Sequence, residues 1–168
     1  DGNIISDASI PQIKKIQNID NKKKIDLNLI FDETRGIDII SHKFVNEKQF
    51  MEIKFKNKKY EIELNLIGKI QIKNILMAII AAHKSGLNFQ KIINVLKKIR
   101  PVEGRLEKIG KIKNNSRVIL DYAHTPEALE TSLLNLKEQF LSSKIVLVFG
   151  CGGNRDFKKR PLMGKIAE

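Results

Sequence analysis

Apolar and polar residues alternate in two neighbouring segments in the first half of the chain. Residues 51–55 read Met-Glu-Ile-Lys-Phe and residues 60–66 read Tyr-Glu-Ile-Glu-Leu-Asn-Leu, so every second side chain is apolar. A period of two is typical of strands that bury one face. The polar stretch 56–59 between them suits a loop. This pattern therefore predicts a β-hairpin with one face in a core.

A helical period follows the hairpin. Apolar residues recur at helical spacing over 72–84, and a Ser-Gly pair comes directly after them as a C-terminal stop. Asn88 is placed to cap a second helix over 89–99, which ends before Pro101. The pattern predicts two consecutive helices, each with one apolar face.

The second half of the chain has a strand–helix–strand rhythm. The apolar stretches 117–121 and 144–149 predict strands, with a helix that opens at Thr125 as N-cap and Pro126 in its first position. This order predicts a βαβ unit with parallel strands. A further helix is predicted over 161–168. Because two strands cannot bury both faces of a doubly wound sheet, we expect the chain to hold only part of this second domain.

Composition narrows the function classes. Thirty-one Lys and Arg against 19 Asp and Glu give a net charge of +12, which raises the possibility of a nucleic-acid or membrane partner. However, all but six of the basic residues are Lys and they are spread along the chain, which favours a solvated surface without a specific nucleic-acid partner. Residues 1–35 are polar and Lys-rich and predict no element beyond short apolar stretches such as 25–31. No apolar run is long enough to span a bilayer, so we expect a soluble protein without a membrane partner.

Two polar blocks combine residues suited to nucleotide chemistry. Gly104-Arg105-Leu106-Glu107 supplies a guanidinium that can neutralise charge on a phosphate, with a surface ion pair as the structural alternative. Asp121 and His124 follow a predicted strand end, where ligands collect in parallel sheets. A local hydrogen bond of His124 at the start of the next helix is equally compatible with the sequence.

A glycine-rich block follows the last predicted strand. Residues 149–156 read Phe-Gly-Cys-Gly-Gly-Asn-Arg-Asp, and their glycines allow the backbone to approach an anionic ligand. Arg155 and Asp156 are suited to the carboxylate and ammonium of a zwitterion, although a simple strand-to-loop exit remains the alternative. The spacing differs from the dinucleotide-binding GxGxxG. Cys151 is the single cysteine, which excludes an intrachain disulfide, and we interpret it as a small buried residue rather than a nucleophile.

In order, spacing and identity, these blocks resemble the Mur ligase family. The matching segments are Pro101-Val-Glu-Gly-Arg-Leu-Glu107, Asp121-Tyr-Ala-His-Thr-Pro126, Val148-Phe-Gly-Cys-Gly-Gly-Asn-Arg-Asp156 and Lys159-Arg-Pro-Leu-Met-Gly-Lys-Ile-Ala-Glu168. The resemblance is tight from about Leu66 onwards and looser before it. It implies an α/β fold in which residues 1–103 are the end of a central ATPase domain, a β-hairpin plus helices. Residues 104–168 would then be the start of a Rossmann-like C-terminal ligase domain.

The family resemblance also implies an activity. Mur ligases of this type use ATP and Mg²⁺ to add meso-diaminopimelate to UDP-N-acetylmuramoyl-L-alanyl-D-glutamate through an acyl phosphate, in peptidoglycan synthesis. We also expect a monomer, and the lack of a charged-then-apolar leader and of a long apolar run predicts a cytoplasmic protein. By position in the family motifs, the implied catalytic residues are Arg105 and Asp121, the nucleotide contacts are Gln71, Asn74, Arg105, Asp121 and His124, and the substrate contacts are Arg155 and Asp156, with no metal ligand. Gln71 stands where the family has Asn, and Asn154 where it has Asp.

Several family motifs do not occur in these 168 residues. They are a GxxGKT-type phosphate loop, the carbamylated-lysine region and the Asp-Asn-Pro-Arg motif that discriminates diaminopimelate from lysine. We therefore expect these residues alone not to ligate. Two alternatives stay open: another ligase of the superfamily, such as a folylpolyglutamate synthase-like enzyme, and a non-catalytic remnant or basic binding module. Salt-sensitive nucleic-acid binding would favour the binding module.

Overall fold

The computed structural model describes residues 2–16, 18, 25–32, 36–152 and 156–168. The chain forms two compact units, one of residues 1–65 and 69–100, and one of residues 66–68 and 101–168. We call them the first and the second unit. Among the described residues, no helix has the length and hydropathy needed to cross a membrane. Both units combine strands with helices, so the predicted α/β class is confirmed.

A five-stranded mixed sheet forms the first unit, in the order β1-β2-β3-β4-β5. The strands are β1 Gly2–Asp7, β2 Ile25–Ile30, β3 Gly36–Val45, β4 Lys48–Phe55 and β5 Lys58–Leu64. Strands β1 to β3 are parallel, and β3 to β5 are antiparallel. The predicted hairpin is confirmed as β4 and β5. Its turn is shorter than predicted, because only Lys56 and Asn57 stand between the strands, both with positive φ.

The sequence pattern did not predict the parallel strands β1 to β3. Strand β2 reads Ile-Asp-Leu-Asn-Leu-Ile, in which Asn28 is a polar residue that the sheet nevertheless buries. Its side-chain amide donates to Asn3 Oδ1 of the neighbouring strand at 3.3 Å, which satisfies part of its hydrogen-bonding capacity. A buried polar residue with a partner on another strand cannot be distinguished from an exposed one by sequence pattern alone.

Two helices of the first unit follow the sheet in sequence. Helix α1 spans Ile70–Lys84, and α2 spans Phe89–Val95 and continues as a 3-10 helix, Leu96–Lys98. Helix α1 ends as predicted, because Gly86 adopts a φ of 93° and donates to the His83 carbonyl. Asn88 caps α2 by accepting from Lys91 N–H at 3.1 Å. The residues that α1 buries are Ile72, Ile75, Leu76, Ile79 and Ile80. They lie on the helix that packs on β1, β2 and β3.

The second unit contains a two-stranded antiparallel sheet and two helices. Strand β6 spans Glu107–Lys111 and β7 spans Arg117–Leu120. Helix α3 spans Pro126–Gln139, α4 spans Lys159–Ala167, and the two helices pack together. The predicted strand over 117–121 and the helix start at Thr125 and Pro126 are therefore confirmed.

The strand predicted over 144–149 was wrong, and with it the parallel βαβ pair. These residues belong to no strand, and Val146 and Val148 are 80% and 92% exposed. The described neighbour of β7 is the antiparallel β6, which a short connection brings beside it. A β-prone apolar run becomes a strand only when its backbone groups find hydrogen-bonding partners. Among the residues that the structure describes, the stretch 144–149 has no strand partner.

The cap of α3 offers a stability prediction. Thr125 Oγ1 accepts a hydrogen bond from Ala128 N–H at 3.2 Å, and Pro126 fills the first helical position. We expect Thr125→Ala to lower the free energy of unfolding of the second unit by about 1 kcal/mol, because one helical N–H loses its acceptor. Urea unfolding followed by circular dichroism measures the change. Thr125→Ser keeps the hydroxyl and is the matched control; an equal loss in both variants would contradict the capping role.

Candidate functional site

Three of the sequence-predicted site residues lie together with a tyrosine in the second unit. They are Arg105, Asp121 and His124, joined by Tyr122, and we call these four residues the Arg105 cluster. Arg105 precedes β6, whereas the other three follow β7. The antiparallel pairing of Glu107 with Leu120 brings the start of β6 beside the end of β7. The pairing of β6 and β7 thus brings the residues of two separate sequence blocks to one place.

Asp121 ties the two parts of the cluster together. Its Oδ1 accepts a hydrogen bond from Leu106 N–H at 3.2 Å, and its Oδ2 accepts one from the Ser132 hydroxyl on α3. Leu106 itself is 3% exposed and adopts a positive φ, so its position is defined by packing as well as by this hydrogen bond. The Asp121 carboxylate therefore holds the segment that carries Arg105 against the end of β7.

The backbone on either side of Arg105 is held by hydrogen bonds. Arg105 N–H donates to the Val102 carbonyl at 3.0 Å, which closes a tight turn. Gly104, with a φ of 66°, donates to Glu107 Oε2 at 2.8 Å. The side chain of Arg105 is exposed, and its guanidinium carbon lies 5.1 Å from the centre of the Tyr122 ring. This geometry is that of a cation–π contact.

His124 makes the local contact that the sequence left open. Its Nδ1 lies 3.2 Å from the Tyr122 carbonyl oxygen, and the rings of His124 and Tyr122 are 5.2 Å apart at 62°. Lys159 of α4 donates to the His124 carbonyl at 3.0 Å. The imidazole remains exposed. His124 can therefore make this local hydrogen bond while its ring stays accessible to a ligand.

Gln71 and Asn74 belong to the first unit, in the first turns of α1. Asn74 is exposed and Gln71 half-buried, and Asn74 Nδ2 lies 3.5 Å from Gln71 Oε1. The two amides therefore face each other on one side of the helix, as expected for residues three positions apart. Between them, Lys73 reaches the end of the parallel strand β1.

Asp7, the last residue of β1, is a charged group that the sequence did not single out. It is 6% exposed, and its oxygens accept from Lys73 Nζ at 2.7 Å and from Ser9 N–H at 2.8 Å and Ser9 Oγ at 2.6 Å. Burial raises the pKa of the Asp7 carboxyl, but the hydrogen bonds from Lys73 and Ser9 and the charge of Lys73 outweigh it and lower the pKa below its ordinary value. Lys73 Nζ also lies 5.6 Å from the Phe31 ring centre.

The depressed pKa of Asp7 predicts a dependence of stability on pH. The Asp7 carboxyl stays protonated to a higher pH in the unfolded chain than in the folded protein. The contribution of its carboxylate to folding stability is therefore fully present above the unfolded-state pKa of about 3.9. It is lost as the pH falls through the lower folded-state pKa. We expect Asp7→Asn to lower the urea midpoint of unfolding at neutral pH. The difference in midpoint between this variant and the wild type should shrink in acid. Glu61→Gln, at an exposed position, is the control for one lost charge. A gap independent of pH would contradict the ionic role of Asp7.

The remaining predicted residues lie near α4. Arg155 falls outside the described residues. Asp156 is exposed, and its Oδ1 accepts from Lys158 N–H at 3.0 Å, a local turn that precedes the helix. Cys151 is half-buried, with its sulfur 3.6 Å from the Met163 sulfur, which agrees with a packing role. In the described part of the chain, no three His, Cys, Asp or Glu side chains are grouped as metal ligands.

Comparisons with known proteins show what the chain resembles. The family model described as Mur ligase, glutamate ligase domain matches residues 104–168. A protein of Rickettsia bellii named UDP-N-acetylmuramoyl-L-alanyl-D-glutamate--2,6-diaminopimelate ligase is 38% identical over 99% of this chain and 34% of its own length. A protein of the same name from Rickettsia felis is 46% identical over 67% of this chain and 21% of its length.

Solved structures agree with this similarity. A structure of UDP-N-acetylmuramoyl-L-alanyl-D-glutamate--2,6-diaminopimelate ligase aligns with a TM-score of 0.69 and 27% identity, over 99% of this chain and 34% of that one. Folylpolyglutamate synthetase from Lactobacillus casei aligns with a TM-score of 0.65 and 20% identity, over 85% of this chain and 36% of that one, which is a likeness of fold. The chain thus spans no more than 34% of the length of the Rickettsia proteins it matches.

Proposed function

Because the chain belongs to the Mur ligase family, we propose that it forms part of an ATP-dependent amide ligase of peptidoglycan precursor synthesis. The proposed reaction adds meso-diaminopimelate to UDP-N-acetylmuramoyl-L-alanyl-D-glutamate. The Arg105 cluster carries this proposal, since it lies in the segment that the family model matches and gathers Arg105, Asp121 and His124 at one place. The proposal includes a cytoplasmic, monomeric enzyme.

Two domains of such an enzyme would meet in this chain. We assign residues 1–103 to the end of the central ATPase domain and residues 104–168 to the start of the Rossmann-like ligase domain. The division of the chain into compact units near residue 100 supports this assignment. Gln71 and Asn74 are then nucleotide contacts of the central domain, and Arg155 and Asp156 are contacts of the diaminopimelate zwitterion.

The proposed chemistry has two displacement steps. A carboxylate oxygen of the dipeptide bonds to the γ-phosphorus of ATP as the bond to the leaving ADP oxygen breaks. The amine of diaminopimelate then bonds to the acyl carbon, phosphate departs and the amine gives up a proton. Negative charge on the transferring phosphoryl group is stabilised by positioned cations, and the exposed Arg105 guanidinium is suited to this task. Asp121 positions Arg105 through Leu106 N–H and Ser132.

Magnesium enters the proposal with the nucleotide. When bound, Mg²⁺ neutralises charge on the phosphate oxygens, which are its usual ligands in such sites. Among the described residues, no three His, Cys, Asp or Glu side chains are clustered, and we assign no magnesium ligand to this chain. The role we assign to this chain is to supply the guanidinium of Arg105 and the ring of His124 to the nucleotide.

The test is a ligation assay on the native polypeptide purified from its own cells. ATP, Mg²⁺ and UDP-N-acetylmuramoyl-L-alanyl-D-glutamate are supplied with diaminopimelate, with lysine or with neither. We expect phosphate release that requires both substrates, and a product heavier by diaminopimelate less one water. Ligation of glutamate to a folate would instead favour the folylpolyglutamate synthase-like alternative. Nucleic-acid binding without any ligation would favour the basic binding module.

A further inference from the structure

We propose that Tyr122 is a positioning residue whose ring holds the Arg105 guanidinium in the orientation used for phosphoryl transfer. The inference deepens the proposed function and rests on it. Tyr122 is not among the residues that the sequence motifs assign to nucleotide or substrate. Its case comes from its place between Arg105 and His124, two residues of the proposed nucleotide site.

The ring of Tyr122 is exposed where a core residue would be buried. It is 64% exposed, although it follows directly after Asp121, whose carboxylate is held by Leu106 and Ser132. An exposed aromatic ring contributes little to folding through burial. Among the described residues, the ring contacts the Arg105 guanidinium at 5.1 Å and the His124 ring at 5.2 Å. The ring is therefore placed to act on these neighbours.

The contact with the Tyr122 ring acts on the side chain of Arg105 and not on its backbone. The backbone is held by the hydrogen bonds of Gly104, Arg105 and Leu106. A long arginine side chain retains many rotamers in water, and the negative face of an aromatic ring favours those that place the guanidinium over it. The planar guanidinium can lie on the ring while its N–H groups at the edge still donate to phosphate oxygens.

The effect on the reaction should appear in turnover. A group that acts on charge developing in the transition state changes kcat more than the KM for ATP. From the strength of exposed cation–π contacts, we expect Tyr122→Leu to lower kcat by about 3- to 5-fold. Tyr122→Phe keeps the ring and should restore the wild-type kcat to within about twofold. Equal kcat values for Tyr122→Leu and wild type would overturn the proposal.

A double-mutant cycle tests whether Tyr122 acts through Arg105. In an Arg105→Met background, Tyr122→Leu should cause no further loss, because the ring has no guanidinium left to orient. Additive losses would overturn the positioning role. The matched control uses the Arg117 guanidinium, which lies 4.9 Å from the Phe140 ring elsewhere in the second unit. In an Arg117→Met background, Tyr122→Leu should cause its full loss.

A spectroscopic readout separates this inference from the ligase activity itself. The chain has no Trp and two Tyr, Tyr60 and Tyr122, so Tyr60→Phe leaves Tyr122 as the tyrosine fluorophore of these residues. We expect Arg105→Met to change this fluorescence and Arg117→Met to leave it unchanged. A change in fluorescence, together with no ligation by the wild-type native polypeptide, would retain the contact and reject the proposed function. If the native polypeptide ligates but neither the fluorescence nor the kinetic effect of Tyr122 depends on Arg105, the positioning role alone is rejected.

Discussion

Replacement of Arg105 by Met in the native polypeptide is expected to lower the rate of ATP-dependent ligation by about 100-fold or more. The two side chains are similar in length, but Met lacks the positive charge that, in our proposal, stabilises the transferring phosphoryl group. Because the Arg105 side chain is exposed, the folded structure should persist. Steady-state phosphate release with saturating ATP, dipeptide and diaminopimelate measures kcat, and circular dichroism verifies folding.

Arg117→Met is the matched control for this experiment. Arg117 is also an exposed arginine that lies over an aromatic ring in the second unit, but it is at the far end of β7 from Asp121. Its replacement removes the same charge and should leave kcat within about twofold of wild type. A similar kcat for Arg105→Met and wild type would contradict the catalytic role of Arg105. Equal large losses in both variants would point to net charge instead.

Gly36→Ala is expected to cause the largest loss of stability, about 3 kcal/mol or more. Gly36 pairs with Leu29 where β3 meets β2, and a Cβ at this position would lie 1.7 Å from the Leu29 carbonyl oxygen. The contact is with backbone, so no side-chain rotation can relieve it. The described register between β2 and β3 consists of this pair and of Ile30 with Ile37. The added methyl group should therefore separate β1 and β2 from the rest of the sheet.

Urea unfolding followed by circular dichroism measures this loss. Gly110→Ala is the control, because Gly110 also lies in a strand, β6, and a Cβ there would meet no atom within 4 Å. We expect its free energy of unfolding to stay within about 0.5 kcal/mol of wild type. Wild-type stability of Gly36→Ala would show that β2 and β3 do not approach as the structure places them.

Local chemistry was sufficient to predict several elements of the fold. The alternation in residues 51–66 predicted β4 and β5, and the 3.6-residue period over 72–84 predicted α1 to within two residues of its start. Asn88 and Thr125 were predicted as caps, and each accepts the expected backbone hydrogen bond. These features depend on residues a few positions apart, so the information that specifies them is contained in short segments.

Pairing between distant segments was the part that could not be predicted. The run 144–149 has the composition of a strand but has no strand partner in the described part of the chain, whereas β6, the short and glycine-bearing Glu-Lys-Ile-Gly-Lys, pairs with β7. Strand β2 contains the buried Asn28, which its pattern would place at the surface. Strand formation is decided by the availability of backbone partners, and that is a property of the folded chain.

The candidate site divides in the same way. The sequence by itself determined the family resemblance and the caps of α2 and α3, and it singled out Arg105, Asp121 and His124 as candidate site residues. Only the tertiary structure decided that Asp121 holds Leu106, that Tyr122 lies under Arg105, and that Asp7 pairs with Lys73 across 66 positions. The physical reason is that motifs record residue types at fixed spacing, whereas hydrogen bonds, ion pairs and ring contacts between segments depend on the packing that brings those segments together.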